Sequence, residues 1–378
     1  MAYFDNAATT FPKPECVYRA MDSFYREYGG SIGRGAHSKA KSSAALASDT
    51  RSMLQELFHA PTREVIFTPT ATIALNMIIQ GIIKTGIKNV YISPFEHNAV
   101  TRVLYAYKEI NVMQLAVNSD LNYDFAKIEY QFRQCAPELV IVSHASNVIG
   151  LVAPVKDIFA RAKIYNAYTL LDMSQTAGLI DTDLNLELYD FAVFAGHKTL
   201  YGPTGISGFL MKSSIILPPI LYGGTGVNSA NQEMPKNLPA RYEMGTLNTV
   251  GIAGLNAALK WLLATGIEKI YEQEHKNRIR LVNLLRRYEF IDLVGINENL
   301  DYVGVVSVNI KIIASDSAGI IFDQQNIAVR TGLQCAPLAH KFLNTYPSGT
   351  VRFSVSYFTS NDDFLALENA LNYIEMEI

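Results

Sequence analysis

The sequence predicts an α/β fold, with one large unit built on a mostly parallel sheet between helices and a smaller α/β unit towards the C-terminal end. Two patterns carry this reading. From Glu64 to Gly208 the short β-rich runs REVIF, NVYIS, NVMQLAV, ELVIVSH, YTLLDMS and DFAVFAG alternate with segments that are mostly long enough for a helix. Parallel strands joined by helical crossovers give that alternation. ISGFLMK follows the GPTG turn closely and suits antiparallel pairing as a seventh strand. Glycine and proline then cluster through LPPILYGGTGVNSANQEMPKN, an irregular stretch of the kind that serves a site or connects domains. The second pattern lies beyond it. A helical pattern runs with breaks from Val250 towards Tyr288, and VGVVSVNI, SAGIIFDQQNIAV, TVRFSVSYF and NDDFLALENALNYIEMEI read as a smaller α/β unit. Its last helix starts near Asn361, followed by two acids.

Composition narrows the function classes. With 378 residues, 49% of them hydrophobic, the chain has ample material for two domains and a sizeable core. A net charge of -3 and no Lys/Arg cluster argue against a nucleic-acid footprint. Cys16, Cys135 and Cys335 are odd in number and far apart, which points to a reducing compartment, the cytoplasm, rather than a disulfide framework. MAYFDNAATT has no basic region leading into an apolar one, so a cleaved signal is not expected. The apolar run ATIALNMIIQGII is broken by Asn76 and Gln80 and falls short of the ~20 residues a bilayer requires, so no membrane span is expected. No metal site is expected either.

Ligands of open α/β sheets collect at the carboxyl ends of the strands. TPTAT after REVIF offers backbone N–H groups and Thr72 to a phosphate, although simple turn and capping chemistry explains it equally well alone. His97 follows NVYIS, and Asn147 follows ELVIVSH. Asp172 ends the next strand, with Gln175 three residues on, and a buried acid there calls for a cationic partner. Lys198 stands 26 residues after Asp172, within FAGHKTLYGPTG. It is no P-loop lysine, because His197 replaces the glycine that would precede it.

Together these residues supply what pyridoxal phosphate chemistry demands: Lys198 for a Schiff base, Asp172 to keep the pyridine nitrogen protonated, TPTAT for the phosphate, and His97 to stack on the ring and move protons. The chain resembles the class V aminotransferase family of fold-type I pyridoxal phosphate enzymes, and most closely its cysteine desulfurases and selenocysteine lyases. The resemblance runs from YFDNAATTFPKP to RTGLQCAP and TVRFSV, through LLDMSQ, GHK with GPTG, and RYEMGTLN. It implies a large domain at 16–248 with a seven-stranded sheet, and a small domain formed by 1–15 and 249–378. Ala71 and Thr72 are implied as phosphate ligands with His197, and Asn147, Asp172 and Gln175 as the residues that position the ring. The resemblance further implies a homodimer in which Thr246 reaches the partner's phosphate. By the same resemblance His37 of GRGAHS approaches the substrate, Arg352 clamps its carboxylate, and Arg330 lies near the same pocket. A guanidinium fork suits a carboxylate.

Cys335 decides the reaction type. A free cysteine is commonly a small buried hydrophobe, but GLQCAP puts this one in a loop beside Arg330. In the resembled desulfurases a cysteine here takes the substrate's sulfur and becomes a persulfide, and nearby arginines favour the reactive thiolate. Cys16 and Cys135 read as structural. Two departures stand out: Ala195 where relatives often carry Ser or Thr, and Gln334 where they often carry His, which leaves the thiol's proton partner open. The short span from Cys335 to Arg352 resembles the subgroup with an ordered cysteine loop, slow intrinsic turnover and an acceptor protein. The expectation is a homodimeric cysteine desulfurase or selenocysteine lyase. The alternatives are another class V activity (aminotransferase, sulfinate-removing lyase or epimerase) with Cys335 incidental, a nicotinamide oxidoreductase, and an idle scaffold. GRGAHS and GGTGVNS lack the third glycine and the strand that a nicotinamide site requires, and intact Lys198 and Asp172 oppose the scaffold.

Overall fold

The computed structural model describes residues 1–32, 35, 37–226 and 230–377, so parts of GRGAHS and GGTGVNS lie outside the described residues. After β1 (Ala2–Tyr3), α1 (Glu15–Glu27) and α2 (Ser38–Leu57), the chain alternates strands and helices. These are β2 (Arg63–Thr68), α3 (Ala71–Ile83), β3 (Asn89–Ile92), α4 (Asn98–Ala106), β4 (Asn111–Gln114), α5 (Phe125–Gln134), β5 (Leu139–Ser143), α6 (Val155–Lys163), β6 (Tyr168–Asp172), β7 (Phe191–Ala195) and β8 (Ser207–Lys212). They form one seven-stranded sheet in the order β2-β8-β7-β6-β5-β3-β4. Only β8 runs against its neighbours, β2 and β7, as the short GPTG connection requires.

The strands carry apolar residues at successive positions because both faces of the sheet are covered. In β5, Val140 and Val142 pack into the cluster that holds Leu54, Phe132, Phe159 and Leu255, while Leu139 and Ile141 join Leu75, Ile78 and Val100 on the other face. Successive side chains of a strand point to opposite faces, so a continuous apolar run is what two cores demand.

The remainder comprises α7 (Thr249–Thr265), α8 (Ile267–Leu285), β9 (Ile291–Val294), β10 (Val305–Ile310), α9 (Ser315–Gln324), β11 (Ile327–Ala328), β12 (Arg330–Gly332), α10 (Pro337–Phe342), β13 (Thr350–Ser354) and α11 (Asn361–Glu377). An antiparallel sheet in the order β12-β13-β10-β9 packs with α9 and α11 around Val306, Phe322, Phe353, Leu367 and Leu371. Phe4 is buried in this core, and β1 pairs with β11, so the N-terminal strand belongs with the C-terminal unit. Helix α7 contributes Ile252, Leu255 and Leu259 to the core of the large sheet. We propose the division into 16–248 and 1–15 with 249–378, in which α7 belongs to the second segment of chain but packs on the large sheet. Among the described residues no single helix is long and apolar enough to cross a membrane, although α7 and α8 pass that test as a bent pair. No group of His, Cys, Asp and Glu among them is arranged to hold a metal ion.

Candidate active site

The carboxyl ends of β2, β3, β5, β6 and β7 open on a cavity of about 250 Å³. Ala71, Thr72, His97, Asn147, Asp172, Gln175, His197 and Lys198 all line it, together with Ala195. Each comes from the last residue of a strand or from the segment that follows it, so the sheet's parallel order gathers them.

Lys198 sits in a turn closed by the Gly202 N–H donating to the Gly196 carbonyl at 2.8 Å. A Cβ on Gly196 would stand 2.3 Å from the Ile206 carbonyl oxygen, so this close approach explains the glycine before His197. The N-terminal segment pins the turn from the other side. His197's carbonyl accepts from Thr10 N at 3.1 Å, Thr9 Oγ1 at 3.1 Å and Lys13 Nζ at 2.5 Å, and Lys198's carbonyl accepts from Thr10 Oγ1 at 2.7 Å. Burial pushes the Lys198 amine down to about 8, partly offset by the Asp172 carboxylate. A minor fraction, roughly a tenth to a fifth, is therefore a neutral nucleophile near physiological pH, far more than for an ordinary lysine.

The cationic partner expected for Asp172 is not an ion-paired side chain. Asp172 Oδ1 instead accepts from Ser174 N at 2.9 Å and Ser174 Oγ at 2.5 Å, a short-range solution that keeps the carboxylate at the cavity wall. Oδ2 takes no hydrogen bond among the described residues. His97 caps α4, its Nδ1 accepting from Ala99 N at 3.0 Å, so the other ring nitrogen carries the proton. Burial, then the Lys198 charge, pushes this imidazole down to about 4, so it is neutral at pH 7.

Pyridoxal phosphate fits these residues. Thr70 Oγ1 caps α3 through Ile73 N, which leaves the first N–H groups of the helix, on Ala71 and Thr72, for an anion. His197 Nδ1 is buried without a partner among the described residues. A buried amine, a helix N-terminus and a carboxylate with a spare oxygen match the aldehyde, phosphate and ring nitrogen of that group. Ala195 presents a methyl group and no hydroxyl to this lining.

The substrate-binding residues expected from sequence divide into two sets. Arg352, on β13, is 2% exposed; its Nη1 donates to the Asn147 carbonyl at 2.9 Å and its Nη2 to Asp5 Oδ1 at 2.7 Å. Its Nε is buried without a partner among the described residues, and Arg352 reaches the cavity lining through Asn147 rather than lining it itself. Arg330 faces Arg352 across the β12–β13 pair. Cys335 is exposed, and with Thr72 and His97 it lines a groove outside the cavity. It stands near enough to couple electrostatically to both Lys198 and Arg352. His37 and Thr246 are exposed and stand outside the cavity; His37 Nδ1 caps α2 through Ala40 N at 3.2 Å. Cys16 is exposed rather than a core residue, and Cys135 is half-buried. Sequence reasoning missed the roles of Asp5, Thr10, Lys13 and Ser174, although the first three lie in the FDNAATTFPK run that carries the resemblance.

Comparison with known proteins agrees with this geometry. The family described as aminotransferase class-V matches residues 2–367. A protein named probable cysteine desulfurase from Methanothermobacter thermautotrophicus is 31% identical over 381 residues, covering 98% of this chain and 94% of that protein. Another so named, from Pyrococcus abyssi, is 31% identical over 96% of this chain and 91% of its own. The solved apo structure of a cysteine desulfurase from Thermococcus onnurineus NA1 is 26% identical and superposes with a TM-score of 0.90, covering 100% of this chain and 95% of that one. The chain belongs to the class V aminotransferase family. Its mostly parallel seven-stranded sheet is the fold-type I architecture of pyridoxal phosphate enzymes.

Proposed function

We propose that this protein is a pyridoxal phosphate-dependent cysteine desulfurase that converts cysteine to alanine and leaves the sulfur as a persulfide on Cys335. The observation that carries the reading is an exposed thiol on a groove that shares Thr72 and His97 with the cavity lined by a buried amine and a carboxylate, while Arg330 and Cys335 line a further groove together. The cysteine desulfurases to which the chain is similar support it. When bound, the cofactor supplies an electron sink that weakens bonds at the α and β carbons of an amino acid.

The chain's own residues do the rest. Lys198 would attach the cofactor, and its free amine would be placed to carry a proton. Asp172 keeps positive charge on the ring nitrogen, Ala71, Thr72 and His197 hold the phosphate, and Gln175 and Asn147 orient the ring. Arg352, with Arg330 nearby, grips the substrate carboxylate. His97, neutral and with its Nδ1 engaged, exchanges protons through Nε2. The Cys335 thiolate attacks the substrate sulfur: a sulfur–sulfur bond forms, the carbon–sulfur bond breaks with its electron pair left on carbon, and that carbon takes a proton to give alanine.

The same chemistry extends to selenocysteine. The resemblance supports a cytoplasmic homodimer in which Thr246 serves the partner's phosphate and His37 approaches the substrate, with a sulfur-acceptor protein downstream. Incubating purified protein with cysteine or selenocysteine should yield alanine with sulfide or selenide; transamination without alanine release would favour another class V activity. Arg352→Lys keeps the charge but loses the fork. It should raise KM for cysteine at least about tenfold, the cost of one charge-assisted hydrogen bond. An unchanged KM would remove Arg352 from the clamp.

A further inference from the structure

We infer that Gln334 is a positioning residue for the Cys335 thiol, anchored by His340 and Thr350 and tied through its carbonyl to Asn147. This rests on the desulfurase reading of Cys335. The two neighbours occupy opposite environments, with Cys335 exposed and Gln334 only 3% exposed. Both have left-handed backbone, at φ 58° and 41°, a region that residues other than glycine occupy only when their surroundings hold them.

The surroundings here are specific. Gln334 Nε2 donates to the Thr350 carbonyl at 3.0 Å, which fixes the amide's orientation because a carbonyl only accepts. Oε1 then faces His340 Nε2 at 2.7 Å, so that nitrogen carries the proton, and Nδ1 accepts from Thr345 Oγ1 at 2.7 Å. His340 is fully buried, and burial pushes it down to about 4, in keeping with this neutral tautomer. The main chain is held as firmly. The Gln334 carbonyl accepts from Asn147 Nδ2 at 2.6 Å, and the Cys335 carbonyl accepts from Asn98 N, next to His97, at 2.7 Å.

A continuous path therefore runs from Asp5 and Arg352 through Asn147 to Gln334 and the thiol-bearing residue. The glutamine is not a substitute proton donor, since an amide carries no titratable proton. Its work is to hold the direction of the thiol relative to the residues that grip substrate.

The test compares three variants of the holoenzyme by hydrogen exchange of residues 333–337 and by cysteine turnover. Gln334→Met removes the amide. His340→Asn can keep the bond to Thr345 but cannot reach Gln334, whereas His340→Gln can. Gln334→Met and His340→Asn should speed exchange in that segment at least about tenfold by local opening. They should also lower kcat roughly ten- to a hundredfold, the scale of a misplaced reacting group. KM should move less than about threefold, because substrate grip is intact. His340→Gln should stay close to wild type in both measurements. In a Cys335→Ala background, Gln334→Met should leave the cofactor's spectral response to cysteine unchanged. Unaltered exchange and kcat in Gln334→Met would overturn the proposal, as would equal losses in the two His340 variants. If Gln334→Met does not fold, the His340 pair decides alone. The exchange readout requires no desulfurase activity, so failure of that activity is distinguishable from failure of Gln334 to hold the loop.

Discussion

Replacing Lys198 with alanine should abolish borohydride-stable attachment of pyridoxal phosphate and lower cysteine turnover at least ~10³-fold, within the range lost with a positioned proton carrier. The protein should still fold, because the turn's carbonyls are held by the Gly202 and Thr10 N–H groups and by the side chains of Thr9, Thr10 and Lys13 rather than by the Lys198 side chain. Removing a buried amine from its low-dielectric site does not cost stability of itself. Peptide mapping of the reduced wild-type protein should find the label on Lys198. A label on another lysine would defeat the assignment.

The same residue sets a pH dependence. Burial lowers the amine to about 8, and only the neutral amine attacks an aldehyde. Below that value the rate at which apo-protein takes up the cofactor should fall about tenfold per pH unit. Above it the rate should level off.

Cys335→Ala is the second large effect. Neither cofactor attachment nor substrate binding uses the thiol, so the variant should bind pyridoxal phosphate and its spectrum should respond to cysteine as in the wild type. Alanine formation from cysteine should drop at least ~10³-fold, since the step lost is nucleophilic attack rather than binding. Selenocysteine should retain a larger share of turnover, because a carbon–selenium bond is weaker and its cleavage depends less on a protein nucleophile. Undiminished desulfuration of cysteine would make Cys335 incidental and favour an aminotransferase or epimerase.

Much of the large unit was legible because its physics is local. Strands covered on both faces must read as apolar runs, and a parallel sheet must place the residues after them at one edge. His97, Asn147, Asp172 and Lys198 were found that way, and they line one cavity. The strand β12 was not, because three residues give too little periodicity.

No side chain among the described residues forms an ion pair with Asp172, which leaves the cationic partner to the ring nitrogen of the cofactor. Ser174, two residues on, satisfies the buried carboxylate oxygen with two hydrogen bonds. Asp5 with Arg352 spans 347 positions of chain, and no local pattern announces such a pair. Gln334 was hidden for a different reason. A polar residue among Gly, Cys and Pro reads as solvent-facing loop, and only the tertiary contacts of His340 and Thr350 make it a buried anchor.

The central claim is that sulfur passes from cysteine to Cys335. Mass spectrometry of the holoenzyme after a brief exposure to cysteine, without reductant, measures this directly. The account predicts one added sulfur atom on the peptide that contains Cys335, in step with alanine formed, and none on the peptides of Cys16 or Cys135. Alanine formation with Cys335 unmodified would contradict it.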